Sequence, residues 1–269
     1  MYNRKIVIKP EELFNLYWKN GMSTYRIADI FGCSFSTVTN RLKEYKIPLK
    51  NNSQARNRYA KKDFSNNKIE KAYILGFRIG DLNVYKTCEE SEVVVARCHT
   101  TRIEQCIAIK KMFSKYGKVT VSKNGKSIHI NCFLNKSFDF LLDKHCSLDE
   151  FTDRDEVFAF ISGYIDAEGY IGINQNRARL KIDSYDEYVL KWISTKLDNL
   201  KIRNKLLIIS VCSDNRNYGK PLWRVNVNYA NDLFQLLIEI KKYSLHDKRL
   251  KQILSAENNI KERLVCKIK

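Results

Sequence analysis

The stretch that decides the fold is FISGYIDAEGYIGI, residues 160–173. It reads as the end of an apolar helix followed by a change to alternating character, yet Gly163 sits inside the helix, where glycine costs on the order of 1 kcal/mol relative to alanine. The helix also finishes on Asp166 and Glu168, and carboxylates at a helix C-terminus face the unfavourable end of the macrodipole. Local stability explains neither choice, so the reason must be tertiary.

The pattern occurs twice. KAYILGFRIGDLNV, residues 71–84, aligns with AFISGYIDAEGYIG, residues 159–172, so that Tyr73 matches Phe160, Gly76 matches Gly163, Gly80 matches Ala167 and Asp81 matches Glu168. Each copy holds two small residues one helical turn apart, with a carboxylate directly after the second. Small residues at that spacing leave a smooth stripe where another helix can approach at backbone distance. If the two stripes meet, Asp81 and Glu168 are brought side by side. Two neighbouring carboxylates repel, and the arrangement makes sense when divalent cations sit between or beside them.

ISGYIDAEG and ILGFRIGDL resemble the two motifs of a single-chain LAGLIDADG homing endonuclease, over roughly residues 68 to 250. The resemblance implies an α+β fold: two pseudo-symmetric αββαββα halves with antiparallel, saddle-shaped sheets. It makes Asp81 and Glu168 the catalytic acids and metal ligands, joined by the backbone carbonyls of Gly80 and Ala167. Asp166 is expected to be structural, and the first copy has Ile79 in its place. That copy departs further, with Arg78 at an ordinarily apolar position and Leu82 in place of the final glycine. The family also implies a lysine after the last helix of a repeat that enters the active-site pocket. Lys248, in YSLHDKRLKQ, is the match, with Lys144 as a weaker counterpart in the first copy.

After each acid the pattern runs alternating, helical, alternating, helical. In KVTVSKNGKSIHIN, Asn124-Gly125 reads as the two-residue turn of a hairpin. Lys118, Thr120 and Ser122 share one face of the first strand, and Ser127, His129 and Asn131 one face of the second. Arg97 and His99 belong to the same polar set. In the second copy Arg177, Arg179 and Lys181 alternate with Ala178, Leu180 and Ile182, and Arg224, Asn226 and Asn228 alternate with Trp223, Val225, Val227 and Tyr229. A merely solvated sheet would mix acids with bases. These rows hold side chains that donate to base edges and phosphates, with Asp183 the one acid in line.

The totals agree with a polyanionic partner. In 269 residues, 48 Lys and Arg face 30 Asp and Glu, a formal charge of +18, and 44% hydrophobic content suffices for a sizeable core. The chain shows neither a long uncharged apolar span nor a lipidation motif, and MYNRKIVIKPEEL is too polar for a secretion signal. The expected location is cytoplasmic and nucleoid-associated, or an organellar matrix. Cys33, Cys88, Cys98, Cys106, Cys132, Cys146, Cys212 and Cys266 form no C-x-x-C pair, so they read as reduced, mostly packed thiols. His145 beside Cys146 reads as ordinary packing.

At the front, Pro10 to Asn20 reads as a helix that Gly21 stops. STYRIADIFGCSFSTVTNRL then places Ile27, Ala28, Phe31, Val38 and Leu42 where two short helices share a core, with Gly32 permitting a sharp turn. This resembles a helix-turn-helix unit in which Ser34 caps the recognition helix and Ser36, Thr37, Asn40 and Arg41 face a DNA groove. The divisions are a helix-turn-helix domain at 1–48, a basic linker at 49–67 that tracks phosphates, a first repeat at 68–150 and a second at 151–269.

The expected function is a monomeric, site-specific endonuclease that uses two or three Mg²⁺ ions, with Mn²⁺ able to substitute. It would hydrolyse both strands of double-stranded DNA across the minor groove, at a long asymmetric target. Two alternatives stay open: a non-cleaving DNA-binding regulator, favoured by Arg78 and Leu82, and a maturase bound to intron RNA.

Overall fold

The computed structural model describes residues 7–50, 59–144, 148–210 and 220–265, so His145, Cys146, Cys212 and Cys266 lie outside the described residues. The first helices are α1 (Pro10–Phe14, continued by a π turn Asn15–Lys19), α2 (Thr24–Phe31) and α3 (Phe35–Glu44). They enclose a core of their own built on Leu13, Tyr17, Ile27, Val38 and Leu42. Gly32 closes α2 at φ 63°, a left-handed conformation that glycine adopts without steric cost. The Ser34 hydroxyl caps α3 by accepting from the Thr37 backbone N–H at 3.2 Å.

The rest is two copies of one plan. The first runs α4 (Lys68–Asp81), β1 (Asn83–Tyr85), β2 (Val93–Thr100), α5 (Ile103–Phe113), β3 (Lys118–Asn124) and β4 (Ser127–Asn135). The second runs α6 (Arg154–Glu168), β5 (Gly169–Asn174), β6 (Arg177–Ser184), α7 (Glu187–Asn199), β7 (Lys205–Ser210), β8 (Leu222–Val227) and α8 (Ala230–Lys241). Both sheets are antiparallel and share one strand order, β1-β2-β4-β3 and β5-β6-β8-β7. Caps begin the helices: Asn67 accepts from the Glu70 N–H, Asp153 from those of Asp155 and Glu156, and Asp186 from that of Val189.

Four details differ from the sequence reading. The closing element of the first copy is a 3-10 helix, Lys136–Leu141, and not an α-helix. Its buried residues Phe138 and Leu141 stand three apart, the spacing that eclipses in a helix of three residues per turn. The hairpin loop is Gly125-Lys126, because Asn124 still pairs with Ser127 and Gly125 takes the positive φ of 59°. The described end of the linker is docked: Phe64 is buried among Tyr116, Phe138 and Phe140, and Asn135 Nδ2 donates to Asp63 Oδ1 at 2.7 Å. A further helix, α9 (Asp247–Val265), packs on β5 and β6, with Asn259 Oδ1 accepting from the Ala178 N–H at 2.9 Å.

One core spans both copies, and α4 and α6 run side by side through it. A Cβ at Gly76 would run into the Phe160 carbonyl oxygen and stand 2.9 Å from the Tyr164 nitrogen. At Gly163 it would meet the Tyr73 carbonyl oxygen and stand 3.0 Å from the Phe77 nitrogen. The contact is reciprocal and made of backbone, which cannot yield as a side-chain tip can. Gly76→Ala or Gly163→Ala is therefore expected to cost about 2 kcal/mol or more in urea denaturation, in the upper part of the usual range for overpacking or beyond it. An unchanged midpoint would refute the close approach.

Candidate active site and nucleic-acid face

Asp81 and Glu168 are the last residues of α4 and α6, and the glycine-notched packing carries these two ends to one place. A Cβ at Gly80 would stand 2.5 Å from Ala167 Cβ, 3.0 Å from Glu168 Cγ and 3.7 Å from Glu168 Oε1. The Glu168 carboxylate thus lies against the backbone of the residue before Asp81. The last four carbonyls of a helix have no intrahelical N–H to accept from, and those of Gly80 and Ala167 are among them. Carboxylates and free carbonyls at two negative helix ends are hard oxygen donors, the chemistry that divalent cations take.

Burial and then the charge of Glu168 push the Asp81 carboxyl up from its ordinary 3.8 to about 7, while Arg102, Arg249 and a hydrogen bond from Gln105 Nε2 oppose the rise. Burial also raises Glu168, and Lys144 draws it back down. The repulsion between the two neighbouring carboxylates thus adds to burial in opposing the loss of the Asp81 proton. A divalent cation would remove that penalty.

Asp166 has a different task. Its buried carboxylate accepts from Tyr73 Oη at 2.7 Å, Ser244 Oγ at 2.8 Å and the Leu245 and His246 N–H groups at 3.0 and 3.3 Å. It ties α4 and α6 to the segment entering α9. Arg78, the departure in the first motif, is likewise buried, donating to the carbonyls of Leu141 and Leu82. It braces the first copy from within.

The pocket cation differs from the one the sequence suggested. Lys248 is exposed, whereas its neighbour Arg249 is 6% exposed and its charge reaches both Asp166 and Asp81. Successive helical residues point about 100° apart, and Arg249 shares the buried stripe of α9 with Ile253, Ala256 and Ile260. That stripe was a usable sequence signal. Gln105 and Arg102 also reach Asp81 from α5 and its N-cap, and no local pattern marked them. Lys144 approaches Glu168 from the end of the first copy, so each acid faces a cation from the other half of the molecule.

The predicted DNA-facing residues of each sheet share the face opposite the core. In the first, Arg97 pairs with Asn131 and His99 with His129, while Thr120 and Ser122 lie across from Asn131 and His129 on β3. Arg97 Nε donates to Asn131 Oδ1 at 2.8 Å, the two imidazoles stand 4.2 Å apart, Lys118 lies over the Tyr59 ring, and Ser127 pairs with Asn124 at the hairpin. In the second, Lys181 pairs with Tyr170 and Asn226, Arg179 with Gly172, Arg177 with Asn174 and Arg224 with Asp183; Asn228 follows β8. On α3, Ser36 and Asn40 are exposed, whereas Thr37 Oγ1 bonds the Ser34 hydroxyl and Arg41 pairs with Glu44 at 2.5 Å.

The pH dependence of stability follows from Asp81. Between about pH 4 and 7 the folded protein holds a proton that the unfolded chain releases, so stability falls as pH rises through this window. Asp81→Asn should therefore raise Tm at about pH 8, with the gain shrinking towards about pH 5. A gain independent of pH would mean that Asp81 is not held neutral.

The LAGLIDADG-like domain family matches residues 155–241. No curated protein matches the chain. Among solved structures, I-DmoI in complex with DNA and Ca is 21% identical, with 66% of this chain and 92% of that chain covered at a TM-score of 0.48. The I-DmoI complex with DNA and Mn is 21% identical, with 64% and 96% covered at 0.47. Full-length DUF199/WhiA from Thermatoga maritima is 15% identical, with 75% and 63% covered at 0.48. Residues 155–241, whose helix carries Gly163 and Glu168, thus match a LAGLIDADG-like domain, and residues 68–141 repeat the same strand order earlier in the chain.

Proposed function

We propose that the protein is a site-specific, divalent-metal-dependent DNA endonuclease acting as a monomer on a long asymmetric duplex. The observation that carries this reading is the meeting of Asp81 and Glu168 at the joined ends of α4 and α6, with Asp81 held protonated until about pH 7. Asp81, Glu168 and the carbonyls of Gly80 and Ala167 would hold Mg²⁺, with Mn²⁺ able to replace it. The metal would supply charge neutralisation at the scissile phosphates and an activated water. Gln105 orients the Asp81 carboxylate, and Arg249 and Lys144 balance charge near the two acids. The basic sheet faces would bind the duplex, and the front helices would add contacts through α3. Two unequal halves in one chain impose no symmetry on the target.

The non-cleaving alternative drew on Arg78 and Leu82. Arg78 donates to backbone carbonyls inside the first copy and Leu82 is buried at the end of α4, so both have structural tasks there. DNA selected from a random duplex library should be cut in Mg²⁺ and bound but uncut in Ca²⁺. Asp81→Asn and Glu168→Gln should each lower cleavage at least a hundredfold, in line with loss of electrostatic stabilisation. Arg249→Met should slow cleavage far more than Lys248→Met. Preference for structured RNA over duplex DNA would instead favour the maturase reading. Equal effects of the two α9 substitutions would remove Arg249 from the pocket.

A further inference from the structure

The two sheets carry different cross-strand pairs at equivalent positions. Asn83 and Tyr170, each two residues after its motif acid, pair with Arg97 and Lys181, which pair in turn with Asn131 and Asn226. One step nearer the acids, the first sheet holds His99 opposite His129 and the second holds Asp183 opposite Arg224. Both pairs therefore lie at the inner ends of the sheets, level with the motif-helix termini.

The Asp183–Arg224 pair is a fork. Arg224 Nε donates to Asp183 Oδ1 at 2.5 Å and Nη2 to Oδ2 at 2.6 Å, with the side chains 24% and 31% exposed. A guanidinium has five N–H donors in one plane. Gripping the carboxylate through Nε and Nη2 leaves the outer edge, Nη1 with the second Nη2 hydrogen, as two parallel donors. Ile182 and Val225, next in sequence, are buried on the core side, so the pair stands on the open face.

A phosphate contact is disfavoured because the pair is neutral as a unit and its carboxylate repels a phosphate. Two parallel donors match a base edge that offers two acceptors, which in the major groove is guanine O6 and N7; adenine presents a donor at N6 and cannot accept both. The carboxylate fixes the fork beforehand, so little side-chain freedom is lost on binding. We propose that Arg224, oriented by Asp183, reads one guanine at the inner end of the half-site beneath the second sheet. The imidazole pair at the equivalent place in the first sheet sets a different inner base, so the target is asymmetric next to the cleavage centre.

This rests on the DNA-binding part of the proposed function. The test selects bound duplexes from a random library in Ca²⁺, using the wild-type chain, Asp183→Asn and Arg224→Lys. The wild type should require guanine at one inner position, and replacing it should weaken binding between about fivefold and a hundredfold. Both variants should tolerate any base there while keeping the rest of the consensus, which also shows that they fold. Arg224→Lys should retain the salt dependence, since charge is kept and only the fork is lost. Affinity changes spread evenly over all sequences, with that position still fixed, would make Arg224 a phosphate anchor and overturn the proposal. Enrichment of no duplex by the wild type would overturn it together with the DNA-binding reading. Binding without cleavage in Mg²⁺ would remove only the nuclease activity and leave the guanine assignment standing.

Discussion

The molecule depends on one backbone contact. Gly76 and Gly163 remove side-chain atoms that would hold α4 and α6 at ordinary interhelical distance, and each lets the other helix's carbonyl and N–H groups come close. Interaxial separations of 8–10 Å are set by side chains at the crossing, so bare glycine there brings the helices closer than a packed pair. From this follow the shared core of the two copies and the placement of their sheets. The meeting of the two terminal carboxylates follows as well.

That placement has an electrostatic consequence. Two carboxylates at two negative helix ends form a site where anionic charge is unwelcome, and the protonation of Asp81 near neutral pH is its measure. The surroundings offset part of this through Arg102, Arg249, Gln105 and Lys144, contributed by different elements. Asp166 performs the accompanying structural work. Its hydrogen bonds to Tyr73, Ser244 and two backbone N–H groups hold the start of α9 against the helix pair, which keeps Arg249 in reach of the acids. The front helices, by contrast, have a separate core, and their link to the first copy includes Phe64, buried in the main core.

Much of this was legible in the chain itself. The repeated spacing of small residues, with a carboxylate after each second one, required two helices to meet and two acids to converge. Period-two alternation placed Arg97, His129, Arg179, Lys181 and Asn226 on one side of each sheet, because successive strand residues must point to opposite faces. Ser34 and Gly32 were readable as a cap and a turn from their own chemistry.

Tertiary structure alone decided the rest, since those choices depend on contacts between residues distant in sequence. Adjacent Lys248 and Arg249 are both basic, and although the apolar stripe of α9 tells them apart, only the packing of that helix on β5 and β6 brings Arg249 within reach of Asp166 and Asp81. Gln105 reaches Asp81 only because α5 packs where it does. Arg224 looked like a free cation until the strand register set it opposite Asp183. The sequence by itself determined which residues face together, through the periods of helix and strand. Only the packed chain decided which of those side chains are spent on one another and which are left for a ligand.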